Sequence, residues 1–329
     1  MNDLTTDIDC CDLARMVSAM IDRLKLDLAG LQVITEAATG AYVVTPVLAA
    51  AAGAQVTALT RASRHGSVDE VRRQTYRLAE ELGVVGRVRV VDRLSDEQIW
   101  LADIVTNSGH LRPLDAAFIE RMKPGAVIPL MYESWEYREA DLDLAVCRRR
   151  GIAVAGTNES HPNLRVFDYL GMLAVYGLLR CHVPVAFSRV LLISGNAFAP
   201  HILRTLTGCD AEVRVFDGSI PADDYDAVIL ADTPEDRPIV GQAGKAKFEA
   251  GQLGNFRALV QVWGDVDRAA LPGVTCWPPA APARGHMGVQ LSDLGPEPVV
   301  RLQAGGLKVG QVLRVRGIAP EKLAYCQPL

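Results

Sequence analysis

The chain has 329 residues, of which 49% are apolar and 22% charged, and its formal net charge is −5. This length suffices for two domains, the composition is typical of a globular protein, and the charge argues against a nucleic-acid partner. The seven cysteines include no Cys-x-x-Cys pair, so neither a zinc ribbon nor a disulfide framework is predicted. No apolar run reaches about 18 residues, and we predict a cytoplasmic protein without a membrane span.

The first elements in chain order are a helix and then alternating strands and helices. The apolar spacing over residues 9–26 predicts an amphipathic helix, and we assign 1–28 to an N-terminal helix that docks on the first domain or on a partner subunit. Strand and helix patterns alternate over 29–162, which predicts a Rossmann-like domain with a parallel, doubly wound sheet. The predicted strands are 33–35, 56–60, 88–91, 104–106, 127–131 and 152–155.

The second half of the chain repeats this alternation after a long apolar helix. Residues 163–184 predict a connecting helix, and 185–329 a second, smaller Rossmann-like domain with a C-terminal extension. The fold class is therefore α/β, with two doubly wound parallel-sheet domains joined by a helix. Residues 271–298 predict a loop, whereas the apolar positions of 299–316 fit either a helix or a strand. A proline near each end of the connecting helix suggests two hinges, and a rigid pair of domains is the alternative.

A strand–turn–helix–strand unit over residues 32–61 predicts the cofactor site. Its turn carries Glu36, Thr39 and Gly40 and is small enough for a ligand to approach the helix N-terminus, where free N–H groups favour anions. A NAD site usually has an acid after the second strand, and here Arg61 stands there, followed by Ser63 and Arg64. A cation at this point suits a 2′-phosphate, so the pattern favours NADP, although the turn is not Gly-x-Gly-x-x-Gly.

Polar residues follow the other predicted strands of the first domain as well. In open parallel sheets, ligands bind outside the carboxyl ends of the strands, so these residues should share one edge. We predict His110 as the residue that handles a proton, with Glu133 as the second candidate and His161 as a further catalytic residue. Glu136, in the same loop as Glu133, is also considered as an acid–base group. Asn107 is expected beside the cofactor. No fixed ligand spacing is present among these residues, so no metal site is predicted.

The second domain has a weaker case for a dinucleotide. Asp217 follows a predicted strand, as a ribose-binding acid would. However, the turn after Gly195 lacks the second and third glycines, and Pro200 removes an N–H group from the first turn of the helix. The sequence leaves open which domain holds the cofactor.

Two resemblances to known families rest on particular stretches. The first resemblance is to the D-2-hydroxyacid dehydrogenases. It is carried by residues 141–158, which include Arg150-Gly-Ile-Ala-Val-Ala-Gly-Thr-Asn158, by the helix that follows, and by the predicted strands near 189–195 and 213–217. In that family a catalytic domain ends in such a strand, and a helix leads into the NAD domain. Residues 102–109 and 122–129 are similar to later strands of the dinucleotide domain in adenosylhomocysteinase-like proteins.

The first domain also resembles class I methyltransferases. Their first motif often reads Glu-x-Gly-Thr-Gly, and Glu36-Ala-Ala-Thr-Gly40 is similar, as are residues 78–92 to their third-strand region. This resemblance implies S-adenosylmethionine as the cofactor. Against it, those enzymes have an acid where Arg61 stands.

Three functions remain at this stage. We predict an NADP-dependent oxidoreductase that acts on a small carbonyl, hydroxy-acid or imine substrate in an interdomain cleft. The alternatives are an S-adenosylmethionine-dependent methyltransferase that uses the Glu36–Gly40 loop, and a non-catalytic ligand-binding or scaffold protein. In each case we expect a small-molecule ligand, no nucleic acid, and a homo-oligomer, specifically a dimer.

Overall fold

The computed structural model describes residues 9–216, 218, 224–315 and 320–329, so Asp217 lies outside the described residues. The chain divides into two compact units. Unit 1 comprises Met1–Val166 and Gly295–Leu329, and unit 2 comprises Phe167–Leu294. Within the described part of the chain, none of the helices combines the length and the apolar character needed to cross a membrane.

Unit 1 contains the strands predicted for the first domain, joined by helices. The helices are α1 (Cys10–Leu24), α2 (Val44–Ala51), α3 (Val68–Glu81), α4 (Asp96–Leu101), α5 (Ala116–Ile119) and α6 (Leu144–Arg150). The strands are β1 (Gln32–Glu36), β2 (Gln55–Leu59), β3 (Val88–Val91), β4 (Ile104–Val105), β5 (Val127–Pro129) and β6 (Ala153–Thr157). These six strands are parallel in the order β3-β2-β1-β4-β5-β6, so the sheet is doubly wound and its winding reverses between β1 and β4.

Unit 2 is a smaller Rossmann-like unit. Its helices are α7 (Asp168–Arg180) and α8 (Ala199–Gly208), and its strands are β7 (Arg189–Ile193), β8 (Glu212–Val215), β9 (Ala227–Ala231), β10 (Val240–Gly241), β11 (Phe248–Glu249), β12 (Ala258–Trp263) and β13 (Thr275–Trp277). The main sheet is parallel in the order β13-β12-β9-β7-β8, and β10 and β11 form a separate two-stranded sheet. Strand β13 lies in a stretch that the sequence predicted as loop, because its three residues are bounded by prolines and glycines.

Helix α7 covers the helix that the sequence predicted as a connector over 163–184. In the structure it belongs to unit 2, where it packs on α8 and β12. A Cβ atom at Gly171 would overlap the Thr205 side chain, and one at Gly177 would overlap Val260. These close approaches make α7 a layer of unit 2 rather than a separate link.

The C-terminal segment returns to unit 1 instead of extending unit 2, which corrects the predicted second domain of 185–329. It contains α9 (Pro296–Arg314), α10 (Pro320–Leu323) and β14 (Cys326–Gln327), and β14 runs antiparallel to β6 at the sheet edge. Helix α9 packs against α1, β5 and β6, and Gly306 has no room for a Cβ beside Met131. Most residues of α9 are buried, so its sequence shows no polar face to distinguish a helix from a strand.

Candidate functional site

The candidate site lies at the carboxyl edge of the unit 1 sheet, where the winding reverses between β1 and β4. Three hydroxyl groups join the two strands there: Thr106 Oγ1 lies 2.8 Å from both Thr35 Oγ1 and Ser108 Oγ. Thr35 and Thr106 are fully buried. Because both strands end at this point, the loops that follow them leave the sheet side by side and can enclose a ligand.

Glu36, the last residue of β1, crosses this point to the loop after β4. Its carboxyl Oε2 accepts a hydrogen bond of 3.3 Å from the backbone N–H of His110. The approach is so close that a Cβ atom at Gly109, whose φ is +28°, would overlap Oε2. Burial raises the pKa of Glu36, opposed by the His110 N–H and the Arg112 charge, which favours the neutral carboxyl group.

His110 is partly buried beside Glu36. Burial and, secondarily, the positive charge of Arg61 lower the pKa of its imidazole. The ring is therefore neutral near pH 7, and a neutral imidazole can accept a proton. This effect of the Arg61 charge indicates that the arginine lies near His110.

A cavity of about 510 Å³, which we call the arginine cavity, opens beyond the ends of β2 and β3 and under the loop after β4. This volume falls in the range of small-molecule sites. Its polar walls include Arg61, Arg93, Arg112, Arg121 and the acids Asp92 and Asp115, and its apolar walls include Leu59, Ile99, Leu111 and Phe118. The excess of arginine over acid, together with apolar side chains, suits a ligand with an anionic group and a flat apolar part.

The turn after β1 is tied to helix α3 rather than open. The backbone N–H of Gly40 donates to Gln74 Oε1 at 3.1 Å, and the Thr39 hydroxyl donates to the His65 carbonyl at 2.9 Å. Ser63 and Gly66 form a small bridge, and Arg64 Nε donates to His65 Nε2 at 3.0 Å. Among the residues predicted to touch the cofactor here, only Arg61 lines the arginine cavity.

Asn107 is fully buried and serves as a structural link. Its Nδ2 donates to the Tyr132 hydroxyl at 2.8 Å, its Oδ1 accepts from Arg112 Nε at 3.0 Å, and its carbonyl accepts from Arg112 Nη2 at 2.9 Å. The Arg112 guanidinium also lies 4.8 Å from the centre of the Tyr132 ring. Asn107 thus fixes the Arg112 side chain, which also lines the arginine cavity.

Glu133 is buried, and donors occupy both of its carboxylate oxygens. Oε1 accepts the backbone N–H of Glu159 at 2.8 Å, and Oε2 accepts Trp135 Nε1 at 3.0 Å and Gln327 Nε2 at 2.9 Å. Three N–H donors on two oxygens hold this side chain in one orientation. The structure therefore gives Glu133 the geometry of a clamp between the loops after β5 and β6 and strand β14.

The pKa values of two other glutamates beside Glu133 are raised. Burial raises the pKa of Glu136 to about 7, and burial together with the charges of Glu136 and Glu133 raises the pKa of Glu159 well above its ordinary value. Burial and the nearby Glu36, Glu159 and Glu136 charges also raise the pKa of Tyr42 to about 12. Proton-carrying carboxyl groups thus stand next to a fixed carboxylate, which the sequence did not distinguish.

His161 stacks on Tyr325, with ring centroids 3.8 Å apart, and its Nδ1 accepts the Asn163 backbone N–H at 3.1 Å. Burial lowers the pKa of its imidazole. Its contacts lie with its own loop and with the C-terminal segment of unit 1. The carboxyl edge therefore brings Glu36 together with His110, whereas His161 stands in a different set of contacts.

The equivalent turn of unit 2 lies between β7 and α8. The backbone N–H of Gly195 donates to Asp232 Oδ1 at 3.0 Å, and the N–H of Thr233 donates to the same oxygen at 3.0 Å. The first turn of α8 contains Pro200. A carboxylate already binds the N–H group that would face a pyrophosphate, so this turn fits a dinucleotide poorly.

A dinucleotide fits the carboxyl edge of unit 1 better. The arginine cavity lies beside the reversal point, which is where ligands bind in doubly wound sheets. Arg61 supplies a cation beyond β2, and the raised pKa of Glu36 reduces its repulsion of an anion. Among the described residues, no group of three or more histidine, cysteine or acidic side chains is arranged to hold a metal ion.

Comparisons with known proteins show similarity in solved structures only. No protein-family model matches the sequence, and neither does a curated protein. A dipicolinate synthase structure from Bacillus subtilis has a TM-score of 0.53 at 10% identity, covering 88% of this chain and 97% of that one. A dipicolinate synthase structure from Bacillus halodurans has a TM-score of 0.52 at 9% identity, covering 87% of this chain and 99% of that one.

A third structure is similar to the same extent. NAD-dependent formate dehydrogenase from Staphylococcus aureus, in complex with NAD, has a TM-score of 0.50 at 14% identity and covers 86% of this chain and 94% of that one. The likeness is one of fold. It confirms the predicted fold class, and at these identities it extends no further.

Proposed function

We propose that this protein is an NADP-dependent oxidoreductase that acts on a small carbonyl, hydroxy-acid or imine substrate. The observation that carries the proposal is the arginine cavity, which lies beyond β2 and β3 and is lined by Arg61, whose charge acts on His110, and by Leu111, the residue after His110. The fold, shared with structures that include a NAD complex, supports a nicotinamide cofactor but not a choice between NAD and NADP. Arg61 supports that choice, because a guanidinium pairs with a 2′-phosphate.

A bound nicotinamide would supply the hydride chemistry, and the chain would bind it, orient the substrate and handle a proton. His110 is neutral near pH 7, so it is suited to take the proton from a hydroxyl group in the oxidising direction and to return it in the reducing direction. Glu36 holds the loop that carries His110 through the bond to its backbone N–H. Glu136 is the second proton-carrying group at this edge.

Calorimetric titration of the full chain with NADPH, NADH and S-adenosylmethionine tests the proposal. We expect NADPH to bind about ten- to hundredfold more tightly than NADH, because one charge-assisted bond contributes about 1.5–3 kcal/mol. Arg61→Ala should remove this preference. The matched control is Arg87→Ala, because Arg87 is also exposed but precedes β3 and so lies at the opposite end of the strands.

One observation favours a second function. Asp92 follows β3 and lines the arginine cavity, where an acid could bind the hydroxyl or amino groups of an adenosine without a phosphate. This suits S-adenosylmethionine and a methyltransferase. Binding of S-adenosylmethionine alone would establish that alternative, whereas equal affinity for NADPH and NADH would refute the NADP preference and leave the oxidoreductase.

A further inference from the structure

The arginine cavity contains a second cation at the same level as Arg61. Strands β2 and β3 are paired in register with Leu59 opposite Val91. Arg61 and Arg93 each stand two residues beyond this last pair, one after each strand. Both are exposed and both line the cavity. The register therefore places the two arginines at the same level beyond neighbouring strands, and both contribute to the lining of one cavity.

The other two arginines of the cavity are already engaged. Arg112 donates twice to Asn107, and Arg121 forms an ion pair of 2.9 Å with Asp96. In the part of the chain that the structure describes, neither Arg61 nor Arg93 forms an ion pair. Arg64, which the sequence favoured as the partner of Arg61, is turned to His65 and does not line the cavity.

We propose that Arg61 and Arg93 together bind the 2′-phosphate of the adenosine ribose, and that Arg93 rather than Arg64 completes this site. The proposal rests on the proposed NADP-dependent function. A phosphate monoester carries a charge of about −1.5 to −2 near pH 7, so two guanidinium groups match its charge. The apolar walls Leu59, Leu111 and Phe118 give the adenosine a surface to pack on.

Asp92 is the group that opposes this assignment, because it precedes Arg93 directly and is exposed in the same cavity. A carboxylate there repels a phosphate and favours a free ribose hydroxyl. The cavity is lined by four arginines and two acids, so the positive charges exceed the negative ones and still favour a phosphate. Substitution of Asp92 separates these two influences.

The test uses small probes that contain only the adenosine part of the cofactor. Calorimetry compares adenosine 2′,5′-bisphosphate with 5′-AMP, and NADPH with NADH, on the full chain and on Arg61→Ala, Arg93→Ala, Arg64→Ala and Arg87→Ala. We expect Arg93→Ala to bind the bisphosphate and NADPH at least about tenfold more weakly, because a charge-assisted bond is lost, with 5′-AMP and NADH little changed. Arg64→Ala and Arg87→Ala should resemble the unmodified chain, and thermal melting should show that all four variants are folded.

The possible failures are distinct. If NADPH binds but Arg93→Ala has the affinity of the unmodified chain, or Arg64→Ala loses as much as Arg93→Ala, the two-arginine site is wrong and the proposed function stands. Asp92→Asn should bind the bisphosphate as well as before or better, and a loss of about tenfold would assign the ribose to the acid and overturn the proposal. If the unmodified chain binds neither dinucleotide, the proposed function fails and the site falls with it.

Discussion

In both units an acidic side chain accepts a hydrogen bond from a backbone N–H group across the point where the sheet winding reverses. The acid, however, stands on opposite sides of that point in the two units. In unit 1 the acid is Glu36 at the end of β1, and the N–H group belongs to His110 in the loop after β4. In unit 2 the N–H group belongs to Gly195 after β7, and the acid is Asp232 after β9. Neither unit has the glycine-rich turn that usually faces a pyrophosphate at this place.

The surroundings of the two acids separate the units. In unit 1 the loop that Glu36 contacts helps to line the arginine cavity, in which arginines outnumber acids. The open cavity of unit 2, about 860 Å³, is lined by Glu235, Asp236 and Asp265 together with Arg237 and Arg284, so acids outnumber arginines there. The same fold therefore presents an arginine-rich edge in unit 1 and a more acidic edge in unit 2, and the position of a βαβ unit alone does not identify the cofactor site.

The largest expected effect is the loss of turnover when His110, at the carboxyl edge of the unit 1 sheet, is substituted. His110→Ala should lower turnover about a hundredfold or more, the usual scale for a lost acid–base group. The assay follows NADPH with any small carbonyl or imine that the unmodified chain reduces. Because burial and Arg61 lower the pKa of His110, the oxidising rate should rise, and the reducing rate fall, as pH increases through a value below 6.5.

The control for His110 is His65→Ala, since His65 is exposed in the neighbouring turn after β2 and should leave turnover unchanged. Full activity of His110→Ala would exclude the imidazole as the proton-handling group. If Glu136→Gln were inactive in the same assay, the role would pass to Glu136.

The second prediction concerns the close approach that joins the two sides of the reversal point in unit 1. Gly109→Ala should lower the free energy of unfolding by about 2–3 kcal/mol, because the new Cβ overlaps Glu36 and the loop must move. Gly83→Ala is the matched control: its φ is +66° with open space around it, so only the backbone cost of about 1 kcal/mol applies. Urea denaturation measures both, and equal losses would show that the Gly109–Glu36 approach is unimportant.

The sequence predicted the strand alternation of both units because each buried strand is an apolar run bounded by turns. It also predicted that Glu36 and His110 share an edge, since parallel strands end together. It did not predict the clamp on Glu133, because one of its donors is Gln327, 194 residues further along the chain. Arg93 was missed for a similar reason: its level beside Arg61 depends on the register of β2 and β3, which apolar patterns do not specify.

A third prediction uses pH to test the buried carboxyl groups of unit 1. The pKa of Glu136 is about 7 in the folded chain and near 4.5 when exposed, so the folded state binds more protons between these values. Its contribution to stability is therefore complete below pH 4.5 and is lost as pH rises through 7. Glu136→Gln removes this penalty, so its effect on the free energy of unfolding, relative to the unmodified chain, should be more favourable at pH 8 than at pH 4 by about 1–2 kcal/mol.

Thermal or urea denaturation at both pH values measures this difference, with the exposed Glu139→Gln as control. An equal effect of Glu136→Gln at pH 4 and pH 8 would mean that Glu136 titrates normally. The proton-carrying role at this edge would then rest on His110 alone.

The smallest expected effect is that of a substitution in the turn after β7 of unit 2. A Cβ atom at Gly195 would lie 3.5 Å from Asp232 Oδ1, an ordinary van der Waals contact, so Gly195→Ala should fold with a stability within about 0.5 kcal/mol of the unmodified chain. Because we assign the cofactor to unit 1, NADPH affinity should also change less than about twofold. If the turn after β7 instead faces a pyrophosphate, the added methyl group would obstruct the backbone approach. A loss of NADPH affinity of about tenfold in a normally stable Gly195→Ala variant would therefore assign the cofactor to unit 2. If Arg61→Ala also bound NADPH with the affinity of the unmodified chain, the arginine cavity would have to bind a different ligand.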